Sequence, residues 1–440
     1  MAGQLTRNLV SRLLFLMLLQ AGLLFAQTVP DESEDQQDES VSDQKPAKEN
    51  ASLQMPVAGR SLKDSVTQDP RNKVGFSLGL FGLYDSIEVT ENNQSKDRRP
   101  EGLVLPMVYA NLGKEKTRFH ADYSMERRFL TNSDVDTTFH MGNIGLTYAP
   151  SRNFVIDLSD EARSAPSNLL SISGGFRPGL PGGNPLGPGI SAYSFERLTM
   201  NNATARLSYR FTQNNAFSLY GNSQIFRYEL SSTEDMNPFN LGASFARAIS
   251  RNVEASVEFL AGNYDTISGS RKERMKRLSG GFNYRFTRRW SLRGSAGVEW
   301  VDIQGSRYTP SYFESGIGRV SRKSIFAISY RRGAQYQLGT SLLTATHTIS
   351  ASLDQRLSKR SSLYMSGYYY RSKPYNESIE QTTIISGLGL KFLLFSNLIA
   401  SINGNYLHQN RAFIETSSPI LNRYIVYAGL EFMLPGVRKR

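Results

Sequence analysis

Leu278–Trp300, LSGGFNYRFTRRWSLRGSAGVEW, decides the fold. Leu278, Gly280, Phe282, Tyr284 and Phe286 recur at every second position, with Ser279, Gly281, Asn283 and Arg285 between them. After the polar break Thr287 to Arg289, the alternation resumes at Trp290, Leu292, Gly294, Ala296, Val298 and Trp300. A period of two puts apolar side chains on one face of a strand and polar ones on the other, so the stretch reads as a hairpin with one greasy and one wet face.

The same dyad repeats in Val253, Ala255, Val257, Phe259 and Ala261, and in Tyr424, Val426, Ala428, Leu430, Phe432 and Leu434. No helical period of comparable strength competes with it. Short polar connections fall at Gly113 to Lys116, Pro150 to Asn153, Thr212 to Asn215, Ser250 to Asn252, Thr287 to Arg289, Ser321 to Lys323, Ser358 to Arg360 and Ser396 with Asn397. They alternate with longer Gly, Pro, Asn and charge-rich loops near 85–102, 131–137, 163–195, 231–237, 266–275, 303–311, 335–341, 373–380 and 410–420. Eight short turns and nine loops join eighteen strands. Each is long enough for a tilted crossing of the apolar layer, which takes about 9 to 11 residues.

The fold expected is all-β: a transmembrane antiparallel up-and-down β-barrel of about eighteen strands, sixteen to twenty allowing for a miscounted hairpin. A soluble sandwich also alternates, with its greasy face turned inward. Three features oppose it: an export signal, strands longer than the five or six residues usual in soluble sheets, and Tyr148, Tyr209, Phe211, Tyr284, Phe286 and Trp290 beside the short turns, where an interfacial girdle belongs.

Residues 1–26 read as a signal peptide. Arg7 and Arg12 precede an apolar run, Leu13 to Ala26, too short to span a bilayer, with cleavage expected near Ala26. Residues 27–70 carry ten acids against four bases and almost no large apolar side chain, the composition of a disordered periplasmic segment, with a periplasmic partner as the alternative to a solvated spacer. Residues 71–440 are the barrel. They hold 45 bases and 29 acids, so the formal charge of +12 belongs to the strands and their turns. The bases are scattered, with no arginine-rich helix or aromatic RNA-binding signature, which argues against a nucleic-acid partner. Cysteine is absent, which removes thiol catalysis and Cys-ligated metals and suits passage through an oxidising compartment.

No catalytic pattern surfaces. His140 lacks a serine two residues on, His347 sits between Thr346 and Thr348 on an alternating strand, and His120 and His408 have no adjacent carboxylate or serine. The glycine-rich run Gly174 to Gly189, GGFRPGLPGGNPLGPG, lacks the Lys and Ser/Thr of a phosphate loop. Neither an HExxH pair nor an Asp-rich calcium loop occurs, so no cofactor, metal or enzymatic activity is expected.

Strand parity assigns candidate residues. With Ala203, Ala205, Leu207 and Tyr209 toward lipid, Arg206 and Arg210 face the lumen, as do Arg285, Arg293 and Lys391, opposed by Glu254, Glu258 and Glu299. A net positive lumen would favour anions. The loop 163–195, third of the outer loops, offers Arg163 and Arg177 to a constriction. Tyr364, Tyr368 and Tyr370 fall on the inner parity, where rings can stack on sugars or contribute to a girdle.

Residues 74–434 resemble bacterial porins and, more narrowly, the β-barrel porins encoded in some exopolysaccharide loci. The resemblance lies in strand count, length and turn style. It implies a channel in the outer membrane for small hydrophilic solutes, anionic or saccharide, or alternatively an export channel for a secreted exopolysaccharide or a non-conducting structural barrel. Tyr427, Gly429, Phe432 and Leu434 resemble the terminal-strand signal read by the barrel-assembly machinery, although the chain continues from Pro435 to Arg440. The solute and oligomeric state are not legible.

Overall fold

The structure, a computed structural model, describes residues 73–89, 96–114, 116–130, 138–166, 197–229, 235–267, 272–321, 323–337, 342–375, 380–412 and 420–434. The expected signal peptide and acidic segment lie outside the described residues, as do Arg177 and the run 174–189. The strands are β1 (Lys73–Val89), β2 (Lys96–Lys114), β3 (Thr117–Leu130), β4 (Thr138–Ser151), β5 (Phe154–Pro166) and β6 (Arg197–Arg210). They continue with β7 (Asn215–Tyr228), β8 (Met236–Ala248), β9 (Val253–Thr266), β10 (Glu273–Tyr284), β11 (Trp290–Ile303) and β12 (Ser306–Tyr308). The remainder are β13 (Ser311–Val320), β14 (Ser324–Gln337), β15 (Leu342–Arg356), β16 (Ser361–Pro374), β17 (Glu380–Phe395), β18 (Leu398–Ala412) and β19 (Ile420–Leu434).

Each strand pairs antiparallel with its neighbours, and β19 pairs with β1 from Phe76↔Leu434 to Val89↔Leu421, which closes the sheet. Both β12 and β13 pair with β11, so they are two pieces of one stave and the barrel has eighteen. Closure leaves no sheet edge, as a lipid-exposed sheet requires, because an unpaired backbone amide finds no water in hydrocarbon.

One connection is tighter than expected. The predicted loop 303–311 is a two-residue turn, Gln304 and Gly305, at φ 51° and 88°, after which β12 resumes the sheet. Positive φ at both central positions matches the twist of a hairpin, and the Gly305 N–H donates to Asp302 Oδ1 at 3.1 Å. Pro310, which has no N–H for the ladder, then separates β12 from β13.

The short turns share a device. A Ser or Thr at the turn entrance accepts backbone N–H groups two or three residues on: Thr212 from Asn215 at 3.0 Å, Thr287 from Trp290 at 3.0 Å, Ser250 from Val253 at 3.1 Å, and Ser321 from Ser324 at 3.0 Å. The hydroxyl replaces the missing ladder partner at the point where the chain reverses.

Register fixes the faces. Leu80, Ile144, Leu207, Leu241, Leu278, Val298, Ile349, Leu388, Ile402 and Leu430 point outward, each more than a third exposed. At the short-turn rim their row ends in aromatics: Phe154–Tyr209, Tyr209–Phe211, Phe211–Phe245, Tyr284–Phe286, Phe286–Trp290 and Trp290–Phe326 all have ring centroids 6.0 to 6.4 Å apart. Exposed apolar side chains in a closed band above an aromatic girdle are the outer surface of a barrel that meets lipid.

Candidate pore lining

The inner face changes character along its length. On β10 the inward residues Glu273, Met275, Arg277 and Ser279 are buried, Gly281 and Asn283 are half-buried, and Arg285 just past the strand is exposed. On β11, Ile303, Val301 and Glu299 are buried, Gly297 and Ser295 half-buried, and Arg293 exposed. On β6, Leu198 and Met200 are buried while Arg206 is exposed. The interior is therefore closed toward the long loops and open toward the short turns.

All eight residues assigned to the lumen by parity point inward, but in two settings. Arg206, Arg285 and Arg293 stand exposed in the open half, and Arg210, Glu254 and Lys391 are half-buried there. Arg118, also inward and exposed, joins them. Glu258 and Glu299 belong instead to a packed network. Arg277 sits 3.1 Å from Glu258 and 4.0 Å from Glu299, with its guanidinium 4.2 Å from the centre of the Tyr312 ring. The Tyr220 hydroxyl donates to Glu258, and Tyr220 lies flat where Gly242 leaves room, since a side chain there would overlap its ring. Tyr312 donates to Glu314 at 2.7 Å, which lies 3.5 Å from Arg293.

Glu299 has no exposed surface because it completes a ladder. The pairing of β13 with β14 ends at Phe313↔Arg332, so the β14 amides beyond it lack a strand partner on that side. Glu299 Oε2 accepts the Ala334 N–H at 2.5 Å, and Glu273 Oε2 accepts the Leu343 N–H at 2.7 Å. Two carboxylates thus hold the long-loop ends of β14 and β15 against β10 and β11.

A second network, which parity did not single out, lies across the closure seam. Arg423 Nε donates to Asp85 Oδ1 at 2.8 Å, and Arg128 lies 3.5 Å from Asp85, 3.0 Å from Glu126 and 4.0 Å from Glu101. An apolar cluster accompanies it on the inner face: Phe81, Leu83, Leu103, Leu105, Ile385, Leu407, Leu421, Ile425 and Tyr427. Of the terminal-strand residues, Tyr427 and Gly429 point inward and Phe432 and Leu434 outward. Gly429 is needed where it stands, because the Phe81 ring and the Leu80 carbonyl occupy the space of a side chain.

Arg163 is inward, buried and paired with Glu161. Tyr364, Tyr368 and Tyr370 all point inward. The Tyr368 and Tyr370 rings are 6.5 Å apart at 17°, and Tyr370 is fully buried with its hydroxyl bonded to Thr344 and Ser372, so its ring face is not open to a solute. The histidines are dispersed: His140 bonds Tyr123 at 2.8 Å and His347 bonds Tyr330 at 3.0 Å on the outer face, while His408 bonds Asn422 at 2.7 Å.

No protein-family model matches the chain, and no curated protein does. Among solved structures it is similar to Pseudomonas aeruginosa OpdQ, at 12% identity over 83% of this chain and 98% of that one, with a TM-score of 0.42. Pseudomonas aeruginosa OccK11 (OpdR) gives 11%, 83%, 98% and 0.43, and Acinetobacter baumannii OccAB3 gives 9%, 82%, 99% and 0.43. At such identities and superpositions the likeness carries nothing about solute, partner or mechanism.

Proposed function

We propose that the protein is a bacterial outer-membrane channel that passes small hydrophilic solutes, inserted by the barrel-assembly machinery through the strand ending in Phe432 and Leu434. The observation that supports it is the division of faces: apolar side chains outward around the circumference, and charged, hydrogen-bonded side chains inward on most staves. A wet lumen gives the exposed members of that inward set, Arg118, Arg206, Arg285 and Arg293, their solvent.

The open half argues for a modest anion preference. Its exposed inward ions Arg118, Arg206, Arg285 and Arg293 are all basic, while Asp122, Asp157 and Glu254 are half-buried. The narrow half would be tightened further by the loop after β5 folding inward, the expected segment 163–195 being strand as far as Pro166. Planar-bilayer recording tests both ideas: ion-conducting steps with an anion-selective reversal potential are expected, and a larger conductance after removal of residues 174–189.

The burial of the long-loop half favours one other reading, a structural barrel with a plugged lumen. It predicts no conductance from protein that is folded and inserted. Saccharide passage, including export of an exopolysaccharide, rests on Tyr364 and Tyr368, since Tyr370 is enclosed. Block of the current by oligosaccharides, lost on Tyr364→Ala, would support it.

A further inference from the structure

Asp160 lies on β5 six residues from either end, and it points out of the barrel. Its register partners are Ile144 on β4 and Ala203 on β6, and it is exposed. Six residues span about 20 Å of strand, or about 15 Å of height at the usual tilt, which sets Asp160 near the middle of an apolar band about 25 Å tall. The other outward carboxylates among the described side chains, Asp265, Asp302 and Glu380, sit within two residues of a strand end, at the long-loop rim.

The surroundings of Asp160 are small and polar. Outward positions nearby are Ala162 and Ser164 on β5, Thr199, Asn201, Ala203 and Ala205 on β6, and Gly221 and Ser223 on β7. Small outward residues occur at this depth on other staves too, among them Gly280, Ala296, Gly367 and Ala428, but no other described stave carries a carboxylate there. Asn201 Nδ2 donates to Asp160 Oδ1 at 2.8 Å, which leaves the second carboxylate oxygen and the second amide hydrogen facing outward. A carboxylate at mid-depth is costly against lipid tails, whereas a protein surface with a matching donor relieves that cost.

We infer that the outer face of β5, β6 and β7 is covered by the same face of a second copy of this chain, with the Asp160–Asn201 pair at its centre. Copies inserted in the same direction present equal residues at equal depth. A twofold axis along the membrane normal therefore sets the free amide hydrogen of each Asn201 against the free oxygen of the other copy's Asp160, and the two bonds are reciprocal. The small residues let the sheets approach closely, and Ile144, Leu158, Leu207, Leu219 and Ile225 supply an apolar rim. The inference depends on the outer band meeting lipid and is indifferent to whether the lumen conducts.

The chain has no cysteine, so one introduced thiol is unique. Ala203→Cys, expressed in native outer membranes and oxidised, is expected to give a disulfide-linked species of twice the chain mass. Ala351→Cys, outward on β15 at the far side, should give none. A product of another mass, equal linkage at both sites or no linkage at Ala203 would overturn the inference. As a second measurement, Asp160→Leu should lower the dimer fraction in mild detergent at least tenfold while the unheated gel mobility of the folded barrel is unchanged. A wild-type protein that is monomeric at every detergent concentration would refute it without touching the channel assignment.

Discussion

Arg423 on β19 and Asp85 on β1, 338 residues apart in the chain, are joined inside the barrel at the seam where the last strand meets the first. Both are almost fully buried, and Arg128 on β3 reaches the same carboxylate. The network spans four consecutive strands, β19, β1, β2 and β3, at the one place where pairing joins residues from opposite ends of the described chain.

Removing the shared carboxylate should therefore hurt more than removing either cation. Asp85→Ala removes the carboxylate that two buried guanidinium groups share, leaving Arg128 with Glu126 and Glu101, and is expected to cost about 3–5 kcal/mol, the usual penalty for breaking a buried pair. Arg423→Ala leaves Asp85 with Arg128 and should cost less. The double replacement Asp85→Leu with Arg423→Met should recover part of the loss. The temperature at which the unheated gel band shifts to the unfolded position ranks the variants.

Glu299 gives a second stability test, with a local readout. Glu299→Ala removes the acceptor of the Ala334 N–H and the carboxylate beside Arg277, leaving both groups buried, at an expected cost of about 2–4 kcal/mol. Glu299→Gln keeps a carbonyl oxygen for the amide and should cost less. Hydrogen exchange at Ala334 should quicken markedly in the alanine variant and little in the glutamine variant. If both exchange as slowly as wild type, the carboxylate does not complete the β14 ladder.

What the sequence made legible follows from what period two encodes. Alternation at Leu278–Trp300 and its repeats reports which face is greasy, so strand number, short turns and inward parity of Arg206, Glu258 and Tyr368 could all be read from it. Alternation carries no information on depth or on partners across strands. Glu299 and Arg293 share a parity on β11 yet differ completely in exposure, because one lies in the closed half and the other in the open half. The Asp85–Arg423–Arg128 network was hidden for the same reason, since its members come from three strands whose pairing closes only at the seam. The turn at Gln304–Gly305 was missed because the polar run from Gln304 to Pro310 reads as one loop, while its Ser-Arg-Tyr segment returns to the sheet.

Tyr370 separates packing from recognition. Its ring is enclosed and its hydroxyl satisfied, so Tyr370→Phe should lower stability by about 1 kcal/mol, the net worth of a buried hydrogen bond, and leave any oligosaccharide block of the channel unchanged. An altered block constant in a variant of intact stability would show that the ring meets solute after all.

The electrostatics of the open half give the sharpest test of the channel reading. Arg206 and Arg285 are exposed and inward, and no ion pair is formed by either among the described residues. Their fields act on passing ions through water, where charges separated by more than a Debye length, about 10 Å at 0.1 M salt, are screened. Replacing both with alanine should move the reversal potential toward cation preference, strongly at low salt and hardly at 1 M, where the screening length falls to about 3 Å. Glu254→Gln, on the same half of the lumen, should move it the other way. Arg277→Ala is the contrasting case. That charge is already opposed by Glu258 and Glu299, so its loss should change stability more than selectivity. A selectivity that ignores Arg206, Arg285 and Glu254 at every salt concentration would mean that ions do not pass through this vestibule.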